Sequence, residues 1–287
     1  MEQTQDTRFD PRAIKALAFD LDGTLLRPDK SVSARTLRAL RSCMDQGIKL
    51  IITTGRARES GEVYRKLIGM TGPQVYYNGA EVADTEADKI IHLELLSPEP
   101  ALFCVRLARE RDLYYQVYFP AGIAGEGEVL MADRISEEAE QYRQSNKIPV
   151  AEGDLEEALS RPGLPGVIKG MFITAGENQE KIRPILRKRY GDSLCIVNSS
   201  PVFCETLAPG ASKGTGLSRA LRYLGLKPEE TIAFGDEEND LPLFAAAGFS
   251  AAPANAIPKV QAAARFHIPA NADDGVAVFL EEYLLAV

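Results

Sequence analysis

The sequence has 287 residues, 45% of them hydrophobic and 26% charged, which is ample for a packed core and unlike a disordered chain. At this length two domains, or one large one, are expected. A net charge of -8 and a pI near 5.1 argue against a nucleic-acid partner and for small or basic ones.

Met1 to Pro11 is polar and lacks a signal-peptide core, and no later run is long enough to span a membrane. A cytoplasmic protein without membrane contact is therefore expected. Ile14 to Phe19, apolar apart from Lys15, reads as a short buried parallel strand running into Asp20-Leu21-Asp22-Gly23-Thr24. Ser33 stands at an N-cap position before a helix over Ala34 to Gln46, with Gly47 as its stop. Ile48 to Thr53 is a second buried strand, completing a right-handed βαβ unit, and it leads into Thr54-Gly55-Arg56. Arg58 to Ile68 is predicted helical. Gln74 to Tyr77 is a third strand, followed by the hairpin signal Asn78-Gly79 and a strand around Lys89 to Leu95.

From about Ser97 the pattern changes. A helix over Pro98 to Arg111 precedes a strand over Leu113 to Phe119, a Gly-rich loop from Ala121 to Gly127 and a strand over Glu128 to Ala132. Helices at Ser136 to Asn146 and Asp154 to Ser160 follow, then a strand at Val167 to Thr174. A helix at Glu177 to Tyr190 and strands at Leu194 to Asn198 and Val202 to Leu207 close the segment. Strands without one-to-one helix alternation predict an α+β module with an antiparallel sheet covered on one side. After Pro209-Gly210 strict alternation returns: helix Lys213 to Leu224, strand Thr231 to Gly235, helix Leu241 to Ala247, a strand near Phe249, and helices Ile257 to Ala264 and Asp274 to Leu284. The expected fold is α/β, a doubly wound and mostly parallel sheet from residues 10–95 and 208–287. An α+β module over 96–207 is inserted into it as a mobile lid, with connectors near Leu95 and Leu207.

Asp20 and Asp22 repel each other and resist shared ionisation; a divalent cation commonly relieves such a pair, although a solvated strand cap reads the same way. Lys213 opens a predicted helix, where a cation opposes the macrodipole unless an anion offsets it; a solvated lysine is the plainer alternative. The run Gly235-Asp236-Glu237-Glu238-Asn239-Asp240 also fits a simple N-cap turn when taken alone. As strand ends of one parallel sheet, however, these segments and Thr54-Gly55-Arg56 would converge on a single rim, where open α/β sheets bind ligands. Other residues keep structural readings. His92 and His267 sit in apolar strand-like runs, and Tyr114, Tyr115, Tyr118 and Phe119 suit a module core. Cys43, Cys104, Cys195 and Cys204 lack CxxC spacing, which suggests neither zinc nor a disulfide framework, and Cys204 reads as a small buried hydrophobe. Arg56 is read either as a substrate contact or as a salt bridge at the rim. Asn78 either reaches the pocket mouth or only makes its turn.

In order and spacing, Asp20-Leu21-Asp22-Gly23-Thr24, Thr54-Gly55-Arg56, Asn78-Gly79-Ala80, Ala211-Ser212-Lys213-Gly214 and Gly235-Asp236-Glu237-Glu238-Asn239-Asp240 resemble the haloacid dehalogenase (HAD) superfamily. The likeness is specifically to its Cof-type phosphatases, which carry a large cap between the second and third motifs; Asn255-Ala256 and Asp274-Gly275 are weaker echoes. Ala254 departs from the Gly that often precedes the late Asn-Ala, and Pro242 is unusual after the acidic motif, though Pro is tolerated in a first helical turn.

The resemblance implies a Rossmann-like core, a cap that sets specificity, and Mg2+-dependent hydrolysis of small phosphorylated metabolites through an aspartyl-phosphate. By the same resemblance Asp20 is the nucleophile and Asp22 the acid for the leaving alcohol, then the base for water. Thr54 and Lys213 clamp the phosphate, with Gly55, Arg56, Asn78 and Asn239 on the substrate side. Mg2+ would take the carboxylates of Asp20 and Asp236 and the carbonyl of Asp22, with Asp240 in support. All-oxygen ligands suit Mg2+, and a divalent ion with an ammonium would relieve repulsion between a phosphate dianion and a carboxylate nucleophile. Sugar phosphates, pyridoxal phosphate and flavin mononucleotide all stay open as substrates. A phosphohexomutase-like phosphotransferase would use the same Asp20. A non-catalytic phosphometabolite-binding regulator would not need a nucleophile beside an acid.

Overall fold

In chain order the first elements are β1 (Ala16–Phe19), α1 (Ala34–Asp45), β2 (Lys49–Ile52) and α2 (Arg58–Ile68), as the apolar runs and the Ser33 cap dictate. The structure, a computed structural model, describes residues 9–121, 129–146, 148–200 and 202–286. The Gly-rich loop expected from Ala121 to Gly127 therefore lies, past its first residue, outside the described residues. Next come β3 (Gln74–Tyr76), β4 (Glu81–Asp84) and β5 (Lys89–Leu93). The middle third holds α3 (Pro98–Glu110), β6 (Tyr114–Phe119), β7 (Val129–Ala132), α4 (Glu137–Asn146), β8 (Val150–Glu152), α5 (Leu155–Leu159), β9 (Lys169–Ile173), α6 (Gly176–Tyr190), β10 (Cys195–Ser200) and β11 (Phe203–Leu207). The last third holds α7 (Lys213–Leu224), β12 (Thr231–Phe234), α8 (Leu241–Ala246), β13 (Phe249–Pro253), α9 (Pro258–Ala263), β14 (Phe266–Ile268) and α10 (Gly275–Tyr283).

The two ends of the chain build one five-stranded parallel sheet in the order β14-β13-β12-β1-β2. Both of its faces are covered, which is why β1 is apolar throughout and β12 is apolar after Thr231, without alternation. Leu17, Phe19 and Ile52 pack with Leu40 of α1 and Phe279 of α10 on one face. Ala18, Ile51 and Ala233 meet Leu217 of α7 and Leu243 of α8 on the other. From β1 the chain proceeds to β2 on one side and returns to β12 on the other, so the strand order reverses between β1 and β12. Such a switch point opens a crevice at the carboxyl ends of the strands.

Two expectations are corrected here. The strand at Gln74 joins a separate three-stranded antiparallel sheet, β3-β4-β5, tied to the main sheet by one bridge from Thr53 to Val75. The middle third forms a six-stranded sheet, β10-β11-β9-β6-β7-β8, that is antiparallel except where β8 runs parallel to β7. The short, half-exposed β8 carries no alternation that would announce it in the sequence. Helices α3, α5 and α6 cover one face of this sheet, through residues such as Cys104, Leu155 and Leu186. On its other face, Tyr114, Tyr118 and Met171 pack against Tyr76, Tyr77 and Ala80 of the β3–β4 hairpin. The tyrosine and cysteine readings agree with this burial: Tyr114, Tyr115, Tyr118, Phe119 and Cys204 are all interior.

Candidate active site

Phe19 and Phe234 stand opposite each other in register and stack at 4.9 Å, so the chain leaves β1 and β12 side by side. Asp20 follows directly, its backbone N–H donating to the Phe234 carbonyl at 2.9 Å. Asp236 lies two residues beyond β12 and accepts a 2.6 Å bond from the Thr24 hydroxyl. Gly23, at φ +83°, has to be glycine, because a Cβ there would lie 2.1 Å from Asp236 Oδ2. Lys213 arrives from the first turn of α7 rather than from a strand of the sheet. Ser212 caps that helix by accepting from the Thr215 N–H at 3.0 Å. Gly79, at φ +91°, lets the β3–β4 turn press onto the same helix start, since a Cβ would sit 1.9 Å from the Ser212 carbonyl oxygen.

The buried Lys213 ammonium donates to Asp20 Oδ1 and to Asp240 Oδ1, each at 2.6 Å. Asp240 Oδ2 accepts in addition from the backbone N–H groups of Asp236 and Glu237. Asp20, Asp236 and Asp240 each offer an oxygen within 4.8 Å of the others, three acids against one ammonium. Burial and the Asp240 carboxylate push Asp236 up to about 7. Burial also raises Asp20, with Lys213 opposing it, while Asp20 and Asp240 keep Lys213 protonated against the burial that disfavours its charge. A surplus of buried negative charge with all-oxygen donors fits a hard divalent cation. Because Asp240 is engaged by Lys213 and two amides, Asp20 and Asp236 are the carboxylates best placed to hold one.

Asp22 turns to a different set of partners. Arg56 grips its carboxylate at 2.6 and 2.8 Å, and Lys30 Nζ donates to it at 2.7 Å. Burial alone would raise this group, but the two cations outweigh it and hold it at about 2. Arg56 also donates to Ser60 Oγ at 2.9 Å and lies over the Tyr64 ring, and its salt bridge to Asp22 stands at the rim of the cavity. Thr54 is buried, its Oγ1 accepting from the Arg56 N–H at 3.1 Å.

A cavity of about 290 Å³ opens over these groups, lined from the core by Asp20, Asp22, Thr54, Gly55, Arg56, Lys213 and Asn239. Its far wall comes from the middle third: Tyr142, Ser145, Asn146, Lys169, Met171, Phe203 and Glu205. Asn78 sits one layer behind, donating to Glu205 Oε2 at 2.7 Å and accepting from Asn239 Nδ2 at 2.9 Å. Lys30, Lys169 and Glu205 are site residues that sequence reasoning missed. The one available signal was a charged residue inside each apolar run, Val167-Ile168-Lys169 and Phe203-Cys204-Glu205. The late echoes prove to pin the segment after Asp22. Asn255 donates to the Gly23 carbonyl at 2.8 Å, and Asp274 takes Arg27 at 2.7 and 2.9 Å. Pro242 falls in the first turn of α8, where its missing N–H costs nothing. His92 faces Glu94 and His267 faces the Gln261 carbonyl, outside the cavity lining.

Among the described residues no helix is long and apolar enough to cross a membrane. A family of haloacid dehalogenase-like hydrolases matches residues 17–280 of the chain. The putative phosphatase YxeH of Bacillus subtilis (strain 168) is 29% identical over 95% of this chain and 99% of its own length. The 5-amino-6-(5-phospho-D-ribitylamino)uracil phosphatase YitU of the same organism is 30% identical over 93% of this chain and 96% of its own. TM0651 from Thermotoga maritima, a solved structure, superposes with a TM-score of 0.78 at 29% identity, covering 93% of this chain and 97% of that one. With that match running from β1 to α10, the chain belongs to the haloacid dehalogenase-like hydrolase family, as an enzyme of its capped, Cof-type phosphatase branch.

Proposed function

We propose that the protein is a cytoplasmic, Mg2+-dependent phosphatase of small-metabolite phosphate monoesters, with a core of residues 10–95 and 208–287 and a cap of residues 96–207. The observation that carries this reading is Asp20 bonded at 2.6 Å to a buried lysine beside Asp236, on the floor of a cavity walled by the inserted module. A carboxylate oxygen of Asp20 attacks phosphorus, and the bond to the leaving alcohol breaks as Asp22 protonates it. Water, deprotonated by Asp22, then attacks the aspartyl-phosphate, releasing phosphate and restoring Asp20. Lys213, Thr54, the Gly55 amide and Asn239 hold the phosphoryl oxygens, and Asn78 orients Asn239. The ionised, clamped Asp22 suits the base half of its role. The acid half requires Arg56 to let go, and an arriving phosphate dianion competes directly for that guanidinium. Asp20, Asp236 and the Asp22 carbonyl would hold Mg2+, which supplies positive charge against the incoming dianion.

The test is free phosphate release from a broad panel of phosphate monoesters, ribityl phosphates among them because of the YitU name. Release with Mg2+, loss in excess chelator, and loss by orders of magnitude in Asp236→Asn are expected. Full wild-type activity in excess chelator would overturn the metal assignment, and isomerised sugar phosphate in place of free phosphate would point to a mutase.

A further inference from the structure

Lys169 and Glu205 are two fully interior charges in the inserted module, on the neighbouring antiparallel strands β9 and β11. Glu205 stands opposite Met171, two residues on from Lys169, so both side chains leave the same sheet face. Their contact is 3.1 Å, and both reach out of their own sheet into the core. Lys169 Nζ donates to the Gly55 carbonyl at 3.0 Å. Glu205 Oε2 accepts from Asn78 Nδ2 at 2.7 Å, and Asn78 donates its backbone N–H to the Thr54 carbonyl at 2.9 Å.

We propose that Lys169 and Glu205 are positioning residues that fix the Thr54-Gly55-Arg56 loop and Asn239 in working geometry when the module lies on the core. The proposal rests on the phosphatase reading of the site. Gly55 C=O and Arg56 N–H share one rigid peptide plane. Holding the carbonyl with Lys169 therefore aims the N–H, which donates to Thr54 Oγ1. With its oxygen accepting there, the Thr54 hydroxyl is left to donate toward the cavity. On the other branch Glu205 holds the Asn78 amide, whose oxygen takes Asn239 Nδ2 at 2.9 Å. Burying an ion pair costs several kcal/mol per charge, and well-packed apolar replacements are often neutral or stabilising. A pair that only filled space would thus be replaceable by apolar side chains without consequence.

The double variant Lys169→Met/Glu205→Leu separates the two cases, measured on the full chain for unfolding midpoint, amide hydrogen exchange at residues 54–56, and kcat and KM for an aryl phosphate. Positioning gives a protein still folded at the assay temperature, exchange at residues 54–56 faster by about tenfold or more, and kcat lower by about tenfold to a hundredfold with KM little changed. Lys169→Arg, which can still donate to the Gly55 carbonyl, should restore slow exchange. Wild-type exchange and kcat in the double variant would overturn the proposal, as would activity falling only in proportion to folded protein. Should the double variant not fold, Lys169→Met, which has no donor for the Gly55 carbonyl, decides by the same exchange measurement: unchanged protection of the Arg56 amide refutes the proposal. Because exchange needs no substrate, a wild type that released no phosphate would refute the phosphatase reading while leaving this result to stand on its own.

Discussion

Arg56 commits both edges of its guanidinium, two bonds to Asp22 and one to Ser60, and contributes more than Lys30 to holding Asp22 ionised. The folded Asp22 carboxyl lies at about 2, below its ordinary value, so its stabilising contribution is complete above the usual carboxylate range and is lost as pH falls through about 2. Arg56→Gln lets that value rise again. The variant should be less stable than wild type near neutral pH by under about 1 kcal/mol, because Asp22 is partly solvated and screened. The two proteins should converge by about pH 2. Urea midpoints across that range check it; a stability gap that stayed constant with pH would mean the bond does not hold Asp22 ionised.

The start of α7 shows how one helix delivers a buried cation to the strand ends. Lys213 occupies the first helical position, against the macrodipole, and is held by Asp20 and Asp240 on one side and by the Ser212 cap on the other. Ser212→Ala should cost about 1 kcal/mol, read as a lowered urea midpoint, and should weaken turnover more than a cap lost elsewhere, such as Ser33→Ala on α1. Equal effects on activity would show that the cap does not position Lys213. Asp20, Thr54 and Asp236 were legible because each follows a short apolar run, and a parallel sheet aligns such ends whatever their separation in the chain. Lys169 and Glu205 were not legible. A lone charge in a strand normally marks a solvated face, and their partners Gly55 and Asn78 are brought to them only by the packing of the middle third on the β3–β4 hairpin. The placement of β3 was hidden for a related reason, since its pairing with β4 makes it part of a separate sheet and leaves only the Thr53–Val75 bridge to the main one.

At the scale of the whole molecule, the two connectors are tied together: Glu94, after β5, accepts from the Gly210 N–H at 3.1 Å and faces Arg219 at 3.3 Å. The five-stranded sheet keeps its two core clusters without the inserted module. Excising residues 97–206 behind a Gly-Ser bridge should therefore leave a folded core that hydrolyses a small aryl phosphate more slowly than the intact protein, because Lys169 and Glu205 are removed, and without selectivity. It should also bind apolar dye, because Tyr76, Tyr77 and Ala80 lose the face that buries them. A core that cannot fold would count against the division at residues 96 and 207.

Turnover of the intact protein carries the central claim, two chemical steps sharing one covalent intermediate on Asp20, and the two isosteric variants separate them. Asp20→Asn should bind substrate and form no phosphoenzyme. Asp22→Asn, given nitrophenyl phosphate, whose leaving group needs no proton, should release one nitrophenolate per enzyme in a burst and then stall for want of a base. Rapid-mix kinetics with intact-protein mass measurement on Asp22→Asn is the decisive experiment. A covalent intermediate on Asp20 gives that burst together with the mass of one added phosphoryl group; no burst, no added mass and identical loss in both variants would contradict it.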